Sequence, residues 1–137
     1  MATGQELDID PNASALEMAQ TIFGDGVTVV SASYDGDNRS SGIFTNGNSI
    51  SPGVTPSDSG VILTTGHVRD FTQSSGDPNR STGTSFNSNG ADNDPLFDDI
   101  TGTSTWDAAV LESQFIPTTD FISIQFVFAS EEYPEYS

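Results

Sequence analysis

Two stretches decide the fold: Ala108-Ala109-Val110-Leu111-Glu112-Ser113-Gln114-Phe115-Ile116, and Phe121-Ile122-Ser123-Ile124-Gln125-Phe126-Val127-Phe128-Ala129, joined by Pro117-Thr118-Thr119-Asp120. In the second, Ile122, Ile124, Phe126 and Phe128 alternate with Phe121, Ser123, Gln125 and Val127. A period of two residues sets a strongly apolar face against a mixed one, the pattern of a β-strand. Both stretches are expected to be strands, the second central to a sheet.

Upstream, Val27 to Tyr34 is rich in β-branched residues and ends in the turn cluster Asp35, Gly36, Asp37 and Asn38, which reads as a third strand. Gly60 to Thr65 holds the short apolar run Val61, Ile62, Leu63 between Pro56 and Gly66, too short for a helix and suited to a buried strand. Ile43 to Ile50 is expected to be a hairpin, because Asn46-Gly47 favours a tight primed turn. The one helix expected runs from about Ala13 to Phe23, with Leu16, Ala19, Ile22 and Phe23 as its apolar stripe. Asp10 before Pro11 is one candidate N-cap, Ser14 with Glu17 offers a capping box, and Gly24 is the stop. From Thr72 to Thr105, Ser, Asn, Asp, Gly and Thr dominate, which predicts a long polar loop anchored by Phe86, Leu96, Phe97 and Ile100. Together these elements predict a mainly β protein: an antiparallel, jelly-roll-like β-sandwich with one N-terminal α-helix. Residues 1–12 read as a lead-in and residues 13–137 as a single domain.

At 137 residues the chain has the size of one domain. Its net charge is −17, from 20 Asp and Glu against Arg39, Arg69 and Arg80, with no lysine. Such a surface repels phosphate backbones and anionic lipid, which argues against nucleic-acid partners and makes divalent cations the natural small ones. Mutual repulsion among the carboxylates destabilises the compact state unless salt screens it or bound cations neutralise it. With no cysteine there is no disulfide, thiolate metal site or cysteine nucleophile. No window approaches the ~18 apolar residues of a membrane span, and residues 1–10 lack the pattern of a secretory signal, so any export signal is expected elsewhere.

Several segments carry a family resemblance: Ile22-Phe23-Gly24-Asp25-Gly26-Val27-Thr28-Val29, Ser59-Gly60-Val61-Ile62-Leu63-Thr64-Thr65-Gly66, Asp107-Ala108-Ala109-Val110-Leu111-Glu112 and, most specific, Phe128-Ala129-Ser130-Glu131-Glu132-Tyr133-Pro134-Glu135-Tyr136. The chain resembles the choice-of-anchor L domain from about Ala13 to Tyr136. The resemblance implies an extracellular bacterial module at the cell surface or secreted, without established catalytic residues. It also implies that the domain continues past Ser137 with further strands, so that the sandwich is incomplete here. A half sandwich leaves the Phe121 to Ala129 strand short of edge partners, which predicts self-association or complementation by a missing segment.

Two acidic sets are candidate calcium ligands, since calcium takes several oxygen donors at about 2.3–2.6 Å. One is Glu131, Glu132 and Glu135, with the hydroxyls of Tyr133 and Tyr136, directly after the last strand. The other is Asp92, Asp94, Asp98 and Asp99 in the polar loop, where neither the EF-hand spacing nor a calcium-binding nonapeptide repeat is present. The plain alternative for both is a solvated acidic surface. Asp58-Ser59-Gly60 matches the triplet of aspartic proteases, but no second copy exists to share a proton. His67, the single histidine, reads as a polar turn residue, and Asp35 and Asp37 beside Gly36 as a turn. The expectation is an extracellular, non-catalytic adhesion module, calcium-stabilised, with a glycan or protein ligand. Its rivals are a hydrolytic domain using paired carboxylates on glycan or peptide, and a purely structural spacer.

Overall fold

The computed structural model describes residues 7–70 and 87–129. Strand β1 (Asp8–Asp10) leads to helix α1 (Ala15–Phe23), and one 3-10 turn, Gly24–Gly26, passes the chain into β2 (Val27–Asp35). Strand β3 (Ser41–Thr45), the single helical turn α2 (Gly47–Ile50) and β4 (Gly60–Leu63) follow. Helix α3 (Pro95–Thr101) and β5 (Val110–Pro117) complete the described elements.

The protein is mainly β, with strands paired antiparallel in two sheets and a short N-terminal helix, as the sequence predicts. One sheet has the order β1-β3-β4, with Ile9 opposite Phe44 and Ile43 opposite Val61. The other pairs β2 with β5 from Val27↔Pro117 to Asp35↔Val110. Helix α1 touches strands of both sheets, whereas contacts between strands of different sheets are sparse. The described buried apolar side chains are few: Met18 and Ala19 from the helix, with Leu7, Val27, Phe44, Val68 and Ala108.

Strand β2 shows how one extra residue reorganises a pattern. Val27 and Val29 are turned inward at its start, but Ala32 and Tyr34 are the inward pair at its end. The alternation changes phase because Val29 pairs with Phe115 and Ser31 with Gln114, leaving Val30 as a bulge without an opposite residue. A residue inserted into one strand of an antiparallel pair swaps the faces of everything beyond it. Val30, at 59% exposure, is the side chain left outside.

Helix α1 starts at the second of the two candidate caps. Ser14 Oγ accepts from Glu17 N–H, and the Glu17 carboxylate accepts from Ser14 N–H at 2.8 Å and from its hydroxyl at 2.6 Å. Asp10 instead ends β1 and accepts from Asn12 N–H. The buried stripe is displaced from the expected one: Met18 and Ala19 are covered, while Leu16 and Ile22 are exposed. Phe23 packs against Phe115 of β5 with the ring centroids 4.6 Å apart and the planes tilted by 43°.

Three further expectations are corrected. Ile43 to Ile50 is not a hairpin. Asn46 does adopt the left-handed conformation favoured by an Asn-Gly pair, but it opens α2, and the neighbours of β3 are β1 and β4. Gly47 is required there because a Cβ would lie 2.6 Å from Thr55 Oγ1 and 2.9 Å from the Ser57 carbonyl oxygen. The polar stretch from Thr72 to Thr105 contains α3 within its described part. Finally, residues 121–129 are not a central strand: among the described residues they join neither sheet, and all nine are exposed.

Candidate functional site

The most heavily bonded polar centre lies where three distant pieces of chain meet: the turn after β2, the segment after β4 and the stretch leading to α3. Its middle is Asp37, 2% exposed. Asp37 Oδ1 accepts from Arg39 N–H at 2.8 Å and from Arg39 Nε at 3.0 Å, and Oδ2 accepts from Arg39 Nη2 at 3.0 Å. The same Oδ2 accepts from Asn89 N–H and Asn89 Nδ2, both at 3.0 Å. Hydrogen bonds from the Arg39 side chain, then from the backbone N–H groups of Arg39 and Asn89, hold the Asp37 carboxyl far below the usual carboxylate range. It is therefore a fixed anion that nails residue 89 to the β2 turn.

Neighbouring groups extend the junction. Ser40, fully buried, donates from Oγ to Gly66 O at 2.6 Å, and its carbonyl accepts from Thr64 N–H. Val68 N–H donates to Arg39 O at 2.8 Å. Ser88 donates to Asp107 Oδ1 at 2.9 Å, and Ala91 and Ala108 pair as an isolated antiparallel bridge. Gly90 permits that approach, since a Cβ there would press on Ala108 O and lie 2.7 Å from Asp107 C, both backbone. Tyr34 donates from its hydroxyl to Asp37 O at 2.9 Å, and burial, ahead of the nearby carboxylates, pushes its phenol up.

The aspartates of the loop set are spread around α3. Asp94 is the N-cap, accepting from Leu96 N–H at 2.9 Å and Phe97 N–H at 3.4 Å, with Pro95 in the first turn. Asp98 Oδ1 accepts from Thr105 N–H and from the Thr105 hydroxyl, each at 2.8 Å, closing the turn beyond the helix. Asp92 accepts from Asp107 N–H at 3.2 Å. Asp99 is exposed on the helix. Among the described residues, no three His, Asp or Glu side chains are grouped so as to hold a metal ion. Glu131, Glu132 and Glu135 lie outside the described residues.

Asp58 of the protease-like triplet is also a turn anchor: Oδ1 accepts from Asn48 N–H at 3.1 Å and its carbonyl from Gly47 N–H at 2.8 Å. His67 Nδ1 lies 3.4 Å from Asp70 Oδ2 in the turn after β4. An open groove of about 800 Å³ runs between β1 and α1, with Asp8, Asp10 and Glu17 on its walls and Arg69 at its edge. In the sequence Asp37 looks like an ordinary turn residue beside Gly36, and its buried role is not visible in that turn pattern. Its signal was Arg39 two positions on, in a chain with only three cationic residues.

No helix among the described residues is long and apolar enough to cross a membrane. No curated protein and no solved structure matches the chain. The family model of the choice-of-anchor L domain matches residues 8–137, starting at the first residue of β1 and covering nearly the whole chain. The chain thus belongs to the choice-of-anchor L domain family, whose members are bacterial surface-associated modules.

Proposed function

We propose that this chain is an extracellular, non-catalytic adhesion module whose acidic shell is stabilised by calcium and whose ligand is a glycan or a protein. The observation that carries the reading is how the fold uses its carboxylates. Asp37, Asp58, Asp92, Asp94 and Asp98 all accept hydrogen bonds from backbone N–H groups and hold turns together. The deeply buried one, Asp37, is pushed toward permanent ionisation, the opposite of what a general acid needs. Carboxylates spent this way are scaffolding. A concave surface suited to a ligand is the groove between β1 and α1. Calcium enters through the net charge of −17: binding at the exposed carboxylates lowers self-repulsion in the folded state.

Two measurements test the reading. Melting curves at fixed high ionic strength, with calcium, magnesium or chelator, are expected to show a stabilisation specific to calcium. No shift, or an equal shift with magnesium, removes calcium from the proposal and leaves charge screening alone. Incubation with a panel of glycans and peptides is expected to give binding without turnover. A hydrolytic activity abolished by removing one carboxylate would overturn the non-catalytic reading, because paired carboxylates about 5–10 Å apart act in such enzymes as a unit.

A further inference from the structure

Residues 121–129 combine three properties that do not usually coexist at a protein surface. They carry no charged side chain in a chain of net charge −17. They alternate with the period of a strand, yet among the described residues they have no ladder partner. Their phenylalanines Phe121, Phe126 and Phe128 are 79%, 84% and 85% exposed. An extended apolar segment with open backbone groups is a template for strand addition.

The same chain offers an acceptor. The β2–β5 sheet has only two strands among the described residues, none of which lies on the far edge of β5. Strand β5 has eight residues and the free segment nine, giving lengths of about 26 Å and 30 Å at the rise of a strand. The edge carries a single charge, Glu112, and its end exposes Ile116. Residues 118–129 do not double back onto that edge. Thr118 donates from N–H at 3.2 Å and from its hydroxyl at 2.7 Å to Gly26 O, which extends the β2–β5 ladder in the direction β5 already runs.

We propose that residues 121–129 form a donor strand that adds to the open edge of β5 in a second copy of the chain, reciprocally, so that two copies complete each other's sheets. Charge favours this face over any other for self-association. An uncharged segment meets an edge with one carboxylate there, whereas most other surfaces would set several carboxylates against one another. Size is adequate as well. Phe126 and Phe128 on one face and Phe121 on the other offer at most about 450–750 Å² per copy, so a reciprocal pair is of the order of the roughly 1,000 Å² expected of a specific interface. A two-fold arrangement uses the same surface on both copies and closes, which avoids open-ended fibres.

The test is the mass of the chain in solution, by light scattering or sedimentation across a concentration series at low and high salt. The mass is expected to double as concentration rises, at lower concentration when salt screens the carboxylates. A monomer up to about 1 mM at high salt overturns the proposal, since a Kd weaker than that leaves no specific dimer. Ser123→Pro and Ile124→Pro, made separately, each remove one of two successive backbone donors that point to opposite sides of a strand, so one of them faces β5 in either register and is expected to abolish the doubling while leaving the dilute melting curve unchanged; a dimer that survives both overturns the donor role. Because the chain has no cysteine, Gln114→Cys and Gln125→Cys can be mixed as separate variants. Disulfides between the two variants support β5 as acceptor, and cross-links confined to pairs of Gln125→Cys chains refute it.

Discussion

The junction around Asp37 and the segment Phe121 to Ala129 invert the ordinary rule of burial. In the first, Asp37, Ser40, Ser41 and Ser88 are buried. In the second, phenylalanine, isoleucine and valine side chains face solvent. The difference teaches that partners, and not side-chain polarity, decide which residues a small acidic domain can cover. Asp37 reaches the interior because its two oxygens meet donors from Arg39 and Asn89. Buried polar groups are tolerable when their hydrogen bonds are complete. The apolar segment stays outside because among the described residues neither sheet takes it up.

Breaking the polar side of this comparison should have the largest effect. Asp37→Ala removes the buried carboxylate that accepts from Arg39 and Asn89, and Tm is expected to fall by roughly 10 °C in a thermal melt. A fall of a degree or less would mean that water replaces the carboxylate without loss. The same residue sets a pH dependence. Asp37 and Glu17 are both held below their ordinary values, by the Arg39 side chain and by the Ser14 side chain respectively. The folded state then binds fewer protons than the unfolded one, so their stabilisation is complete above about pH 5 and is lost progressively as pH falls through the depressed values. The contribution of the two groups to Tm is expected to stay level from about pH 7 to pH 5 and to decline below. In Asp37→Asn that decline should flatten.

Gly90→Ala comes next. Its methyl group would press on the backbone of Asp107 and Ala108, which cannot swing aside as a side chain can. A loss of about 1–3 kcal/mol by denaturant titration is expected, together with faster amide exchange at Ala108, whose N–H donates to Ala91 O. Ser14→Ala removes the reciprocal capping bonds of α1 and is expected to cost about 1 kcal/mol, read in the same titration. The smallest effect belongs to the apolar side. Phe126→Ser, at a concentration where the chain is monomeric, is expected to change stability by no more than about 0.5 kcal/mol, as at any exposed site without packing partners. A loss of several kcal/mol there would show that the segment packs in the monomer after all.

Much of the architecture was legible because it depends on neighbours in sequence. The capping box needs only Ser14 and Glu17 three residues apart, and Gly24 ends the same helix with its N–H returned to Gln20 O. The β2, β4 and β5 strands follow from runs of apolar and β-branched residues. Helix α3 was within reach too. Asp94-Pro95, with Gly102 as its stop, repeats the Asp-Pro signal that had been weighed at Asp10-Pro11, but the polar composition around it read as loop. At Asn46-Gly47 the local signal was met in conformation and misled in topology. A left-handed residue serves a helical turn as well as a hairpin, and the contacts of Gly47 with Thr55 and Ser57 decided between them.

By itself the sequence determined the mainly β class, the one capped N-terminal helix, the acidic surface and, through four short motifs, the family. These depend on spacing and composition, which a linear reading preserves. Only the tertiary structure decided that Asp37 is a buried anchor 52 positions away from Asn89, that Val30 bulges and exchanges the faces of β2, and that the most strand-like stretch of all joins neither sheet among the described residues. Those outcomes turn on which distant backbone groups meet, and a strand's alternation names its two faces without naming its neighbours.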